Sequence, residues 1–143
     1  QYIDSGYQLL QKLPLNQAKQ ILFAADNLAN SLLIRDFLSE FGWNVNLVYN
    51  QHDIYEAIAN QPMDLLMLDL QLTGGDAIQM MNTIRRHKRY YDLPIIALSA
   101  LAILDQPQSA EQADTVLYKP LNLVELEQLI NTLCNQQRSL DRE

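Results

Sequence analysis

Asp26, Asp69, Ser99 and Lys119 each stand at the end of a short apolar run, and their side chains are chemically complementary. Two carboxylates can share a hard divalent cation, and one of them can act as a nucleophile. A hydroxyl can contact a transferred oxygen, and an ammonium can neutralise developing negative charge. Together these groups suit phosphoryl transfer. A carboxylate attacks phosphorus to give an acyl phosphate when a cation and an ammonium offset the repulsion between two anions. Asp69 is the most informative of the four, because it directly follows Leu65-Leu66-Met67-Leu68 and precedes Gln71, Thr73, Gly74 and Gly75. An acid inside such a strand would carry a large desolvation cost. At the carboxyl end of a strand in an open α/β sheet, where ligands collect, it is placed for chemistry.

The elements that must position these residues are visible as five apolar runs: Ile21 to Ala25, Val45 to Tyr49, Leu65 to Leu68, Ile95 to Leu98, and Thr115 to Tyr118. Each has the length and composition of a strand. Helical patterns separate them. Leu28 to Phe41 places Leu28, Leu32, Leu33, Phe37 and Phe41 on one side and stops at Gly42, which accepts a left-handed helix end. A second helix is expected from Asp53 to Asn60, ended by Pro62, and a third from Gly75 to His87 with Ile78, Met81 and Ile84 at helical spacing. A fourth, over Leu101 to Ala113, is interrupted by Pro107, which lacks a backbone donor. The fifth begins at Asn122, where Asn122 and Glu125 have capping-box spacing ahead of Leu126, Leu129, Ile130 and Leu133.

Alternating strands and helices imply an α/β fold, with parallel strands, right-handed crossovers and helices on both faces. The first, third and fourth runs are nearly all apolar, as central strands should be, whereas Asn44-Val45-Asn46-Leu47 alternates like an edge strand. The second strand is therefore expected outside the first. All four chemical groups then reach one edge of the sheet.

The whole chain sets bounds on function. Its 143 residues suit one domain with a hydrophobic core. A formal net charge of -7 disfavours nucleic acid as a partner. The single cysteine, Cys134, lies on a helical apolar stripe and is read as a core thiol. No apolar stretch reaches the roughly 18 to 20 residues of a membrane span, and no signal peptide is visible, so a cytoplasmic protein without membrane contact is expected. A chain starting at Gln1 is expected to come from a longer or processed polypeptide. His52 and His87 lack neighbours at transition-metal ligand spacing. The basic run Arg85-Arg86-His87-Lys88-Arg89 is read as the cationic end of a helix. Ala24-Ala25-Asp26-Asn27 offers no glycine-rich loop for a nucleotide.

Each chemical residue also has a plain structural reading. Asp26, followed by Asn27 and a helix, could be a turn or a cap. Ser99 could be a small turn residue and Lys119 a solvated surface cation. Their common edge and order favour the chemical reading.

On these residues the sequence resembles the receiver domain of two-component response regulators. The matching stretches are Ile21-Leu22-Phe23-Ala24-Ala25-Asp26-Asn27, Leu65-Leu66-Met67-Leu68-Asp69, Pro94-Ile95-Ile96-Ala97-Leu98-Ser99-Ala100 and Lys119-Pro120. The resemblance implies a flavodoxin-like, doubly wound five-stranded sheet in the order 2-1-3-4-5. It implies a receiver over residues 20–135, with 136–143 as a tail; residues 1–19, where Tyr7, Leu9, Leu10 and Leu13 precede Pro14, read as a linker, an extra helix or a dimer contact. Asp69 would be the phosphoacceptor, Asp26, Asp69 and the carbonyl of Gln71 the magnesium ligands, and Ser99 and Lys119 the groups contacting the phosphoryl. Lys119-Pro120 would be cis, and Ala100 would leave a path for the donor. The donor would be a histidine kinase or a histidine phosphotransfer domain. Asp26-Asn27-Leu28-Ala29-Asn30 is similar to receivers attached to histidine kinases, which points to a hybrid sensor kinase as the parent.

The chain departs from the family pattern in three places. Ala25 stands where a second acid is usual, which removes charge from the metal site. Thr73 and Ala77 replace a usual proline and glycine. Val116 occupies the usual aromatic position, and Tyr118, the nearest aromatic, is expected on the opposite face of its strand. These departures define the alternative, a pseudo-receiver acting as a phosphorylation-independent interaction module.

Overall fold

The computed structural model describes residues 19–72, 77–100 and 112–142. Five strands, β1 (Gln20–Ala24), β2 (Asn44–Val48), β3 (Leu65–Asp69), β4 (Ile95–Ser99) and β5 (Thr115–Tyr118), form one parallel sheet in the order β2-β1-β3-β4-β5. The order expected from the sequence is the observed one. Its physical basis is visible in burial: all of β3 and β4 is buried, whereas β2 and β5, at the two edges, are only partly covered. Central strands need apolar side chains toward both helical layers, which is why β3 reads as an unbroken run.

Side-chain alternation divides the core into two layers. Ile21, Phe23 and Ala25 face α1 (Leu28–Ser39) and α4 (Leu123–Arg142), where Ile34, Leu38, Leu126, Ile130 and Cys134 complete the packing. Leu22 and Ala24 face the opposite way, onto α2 (Gln51–Asn60) and α3 (Ala77–Arg86), with Ile54, Ile58, Met80, Met81 and Ile84. Cys134 is buried, as a core thiol should be.

The helix faces correct the periodicity in two places. In α1 the buried positions are Ser31, Ile34 and Leu38, while Leu28, Leu33 and Phe41 are exposed. The apolar strip Leu28, Leu32, Leu33, Phe37 and Phe41 is thus not the inward face, which contains a serine. In α3, Ala77, Met80, Met81 and Ile84 are buried and Ile78 is 41% exposed. Caps also shift boundaries: α2 starts at Gln51 because Asn50 Oδ1 accepts from the Asp53 amide at 2.8 Å. At the end of α1, Gly42 has φ +92°, the conformation for which glycine carries no Cβ penalty. The expected fourth helix over residues 101–111, and the segment 1–18, lie outside the described residues.

At the amino edge of the sheet, Arg85 joins three segments. Its guanidinium donates to the carbonyl of Leu93, to that of Gln112 at 2.9 Å and to Asp114 Oδ2 at 3.2 Å. Asp114 also accepts from the Ile95 amide at 2.7 Å, so the start of β4 is tied to the approach to β5. The basic run therefore begins with a structural clamp. Replacing Arg85 with methionine should lower stability by about 2 kcal/mol, through carbonyls and a carboxylate left without their donor. Urea unfolding measures this, and an unchanged midpoint would show that the clamp contributes nothing.

Candidate functional site

Asp69 is the last residue of β3 and is 3% exposed. A carboxylate so buried requires charged and hydrogen-bonded partners, and two are present. Lys119 Nζ lies 2.6 Å from Asp69 Oδ2, and the Gln71 amide donates to Asp69 Oδ1 at 3.0 Å. The turn after β3 therefore folds back onto its own acid, and the Leu72 amide also returns to the Asp69 carbonyl at 3.0 Å. Lys119 is held from the other side. Its amide donates to the Ser99 carbonyl at 2.9 Å, continuing the β4–β5 ladder one step past Tyr118, and the bond to Pro120 is cis.

The structure brings Asp26, Asp69 and Lys119 into one cleft of about 230 Å³ between the start of α1 and the segment after β5. Asp26 is exposed and is not the helix cap. That task falls to Asn27, whose Oδ1 accepts from the Asn30 amide at 2.9 Å. The plain reading of Asp26 as a cap is thereby removed, and its carboxylate remains at the cleft. Ser99 ends β4, one residue beyond Leu98, the register partner of Asp69, and is 5% exposed. It is not among the residues lining the cleft.

Gln71 does more than its backbone suggested. Its side-chain Oε1 accepts from Lys119 Nζ at 3.2 Å, so the ammonium bridges Asp69 and Gln71. This contact was invisible in the sequence because only the fold brings Gln71 beside Lys119. The expectation for Tyr118 is corrected. Val116 and Tyr118 are two residues apart, and a strand's side-chain period of two puts both on the same face. The register pairs Tyr118 with Ser99 and Val116 with Ala97, and Tyr118 is 40% exposed.

The donors expected from the sequence for a cation at this edge, the carboxylates of Asp26 and Asp69 and the Gln71 carbonyl, are all oxygens, a set that matches magnesium's preference for hard ligands and retained water. Among the described residues no group of three His, Cys, Asp or Glu side chains could hold a metal, in keeping with alanine at position 25. Magnesium is thus compatible with the donor chemistry, with fewer charged ligands than two consecutive acids would give.

The strand order and this charged edge are those of a receiver, and the sequence comparisons agree. The model of the response regulator receiver domain matches residues 21–131. The chain belongs to that family and is a receiver domain of two-component systems. It is 34% identical over 120 residues to sensor histidine kinase GacS of Pseudomonas protegens, covering 80% of this chain and 13% of that protein. It is 30% identical over 118 residues to histidine-protein kinase BarA of Escherichia coli, covering 81% of this chain and 12% of BarA. The chain therefore spans only a small part of these relatives. Among solved structures, the receiver domain of sensor histidine kinase PA1611 from Pseudomonas aeruginosa superposes with a TM-score of 0.75 at 26% identity, covering 82% of this chain and 98% of that one. That structure has a magnesium ion coordinated in its active site cleft. A CheY-like receiver from Methanospirillum hungatei, at 21% identity and a TM-score of 0.75 over 85% of this chain and 97% of that one, shares the fold. No helix among the described residues is long and apolar enough to cross a membrane.

Removing Lys119 should leave a buried, uncompensated carboxylate. Lys119→Met is expected to cost about 3 kcal/mol, toward the low end for breaking a buried pair because the lysine side chain is 31% exposed. Adding Asp69→Asn should restore most of that loss. Chemical denaturation of the two single variants and the double variant reads the coupling. Additive losses would mean that the two charges do not depend on each other.

Proposed function

We propose that the domain accepts a phosphoryl group on Asp69 from a phosphohistidine of a histidine kinase or histidine phosphotransfer domain. The observation that carries this reading is the buried Asp69 carboxylate in contact with the Lys119 ammonium at the carboxyl edge of the sheet. Asp69 Oδ1 or Oδ2 attacks phosphorus, the bond from phosphorus to the donor imidazole nitrogen breaks, and an acyl phosphate forms. Lys119 then moves its charge from the carboxylate to the phosphoryl oxygens, with Gln71 Oε1 keeping the ammonium in place during the exchange. Bound magnesium, held by Asp26, Asp69 and the Gln71 carbonyl, would supply further charge neutralisation.

Ser99 is the hydroxyl that turns toward the phosphoryl group, and Tyr118 is the aromatic on its face of the sheet. A change at Ser99 would reach the surface through Tyr118 rather than through Val116. The parent in this reading is a hybrid sensor kinase, as in the GacS and BarA similarity. Residues 1–19 and 136–143 would flank the receiver, with the former available as a dimer contact.

Beryllofluoride with magnesium mimics the acyl phosphate without turnover. Adding both should shift the amide resonances of Gln71, Ser99 and Tyr118. Asp69→Asn should abolish all of these changes, and Ser99→Ala should abolish that at Tyr118 while leaving Gln71 responsive. If the native chain shows no Asp69-dependent change, the phosphoacceptor reading is wrong and an interaction module is the better description. The weakened metal site has its own test. Ala25→Asp should tighten magnesium binding by about tenfold or more, a magnitude typical of restoring an outer-shell carboxylate. Calorimetric titration showing equal affinity would remove Ala25 from the account.

A further inference from the structure

Among the described residues three polar side chains are buried: Asp69, Ser99 and Ser31. The first two belong to the phosphoryl site proposed above. Ser31 does not, yet it sits in α1 behind the wall that this helix gives the same cleft. It is the polar member of an inward face otherwise made of Ile34 and Leu38. A hydroxyl at 1% exposure needs hydrogen-bond partners, and an apolar side chain there would need none. What the serine does is set by those partners.

Ser31 Oγ donates to the Leu28 carbonyl at 2.8 Å, so in its 2.9 Å contact with Tyr49 the tyrosine hydroxyl is the donor. Leu28 is the first residue of α1, and Tyr49 directly follows β2. The first turn of α1 is thereby tied to the carboxyl end of β2. One residue earlier on that strand, the Val48 carbonyl accepts from the Ala25 amide at 2.9 Å. Asp26 lies between these two ties, with Ala25 before it and the α1 turn after it, and both run to the adjacent residues Val48 and Tyr49. Among the described residues the Asp26 side chain has no hydrogen bond or ion pair of its own. The backbone on either side therefore sets where its carboxylate stands.

We propose that Tyr49, acting through Ser31, is a positioning residue for Asp26. It holds the first turn of α1 where the Asp26 carboxylate can coordinate a divalent cation, and so rests on the reading in which Asp26 is a magnesium ligand. With alanine at position 25, the end of β1 brings a single carboxylate to this edge, and no second acid beside it makes up the charge if that one is displaced. The tie to β2 therefore matters more here than it would beside two consecutive acids.

The test is a magnesium titration of the isotopically labelled chain without beryllofluoride, followed through the amide resonances of Asp26 and Gln71. Tyr49→Phe, which removes only the hydroxyl, should weaken magnesium binding by about threefold to tenfold, at or below the roughly 10-fold to 100-fold lost with a partner that touches the ligand itself. Ser31→Ala should do the same, and the double variant should bind no more weakly than the poorer single one. Ser39→Ala removes a comparable bond at the other end of α1, from its hydroxyl to the Arg35 carbonyl at 2.7 Å, and should leave the affinity unchanged. In an Asp26→Asn background Tyr49→Phe should add no further loss. Absence of saturable magnesium binding by the native chain, unchanged affinity in Tyr49→Phe, an equal loss in Ser39→Ala, or an undiminished further loss in the Asp26→Asn background would each overturn the proposal. A chain that binds magnesium with this dependence on Tyr49 but gives no Asp69-dependent response to beryllofluoride would fail the phosphoacceptor reading and uphold this one.

Discussion

The contact between Lys119 and Asp69 is the constraint on which the carboxyl edge of this domain depends. A carboxylate at 3% exposure cannot remain charged in an apolar sheet without compensation, and the ammonium 2.6 Å away supplies it. The pair spans from the end of β3 to the residue after β5, across the intervening β4, so the ends of two non-adjacent strands are tied by one ionic contact. Gln71 adds a second hold on each partner, through its amide to Asp69 and its side chain to Lys119. The same arrangement that makes the buried acid tolerable also places a positive charge beside the carboxylate that we propose as the phosphoacceptor. In that proposal stability and reactivity draw on the same atoms.

The rest of the fold keeps that edge in register. Parallel pairing through β1, β3 and β4 aligns the strand ends, and complete burial of β3 and β4 leaves little freedom for either to slip. At the opposite edge Arg85 and Asp114 tie α3 to the starts of β4 and β5. Charged side chains thus fasten β4 and β5 at both ends while apolar packing holds their middle. On the α1 side, Ala25 is buried in the core layer and brings no charge to the edge beside Asp26.

Much of the fold was legible in the sequence because its signals are local. Unbroken apolar runs marked β3 and β4, alternation marked β2 as an edge, and Gly42 marked the end of α1. The Asn122 cap also stands where the spacing put it, with Oδ1 accepting from the Glu125 amide at 3.0 Å. What was missed depended on contacts between distant segments or on polar residues in apolar faces. The inward face of α1 departs from the apolar pattern because Ser31 is buried through hydrogen bonds to Leu28 and Tyr49 that hydropathy does not register. The candidate site was legible as residue types at strand ends. The Gln71 side chain required the fold, and Tyr118 required the register of β5 against β4.

As the proposed phosphoacceptor, the buried carboxylate of Asp69 is a nucleophile toward phosphorus. The most direct measurement is mass spectrometry of the chain after incubation with acetyl phosphate and magnesium, followed by borohydride trapping of acyl phosphates and peptide mapping. The expected result is a gain of one phosphoryl group on the intact chain and reductive labelling at Asp69 alone. No phosphoryl gain, or labelling at another residue with Asp69 unmodified, would contradict it.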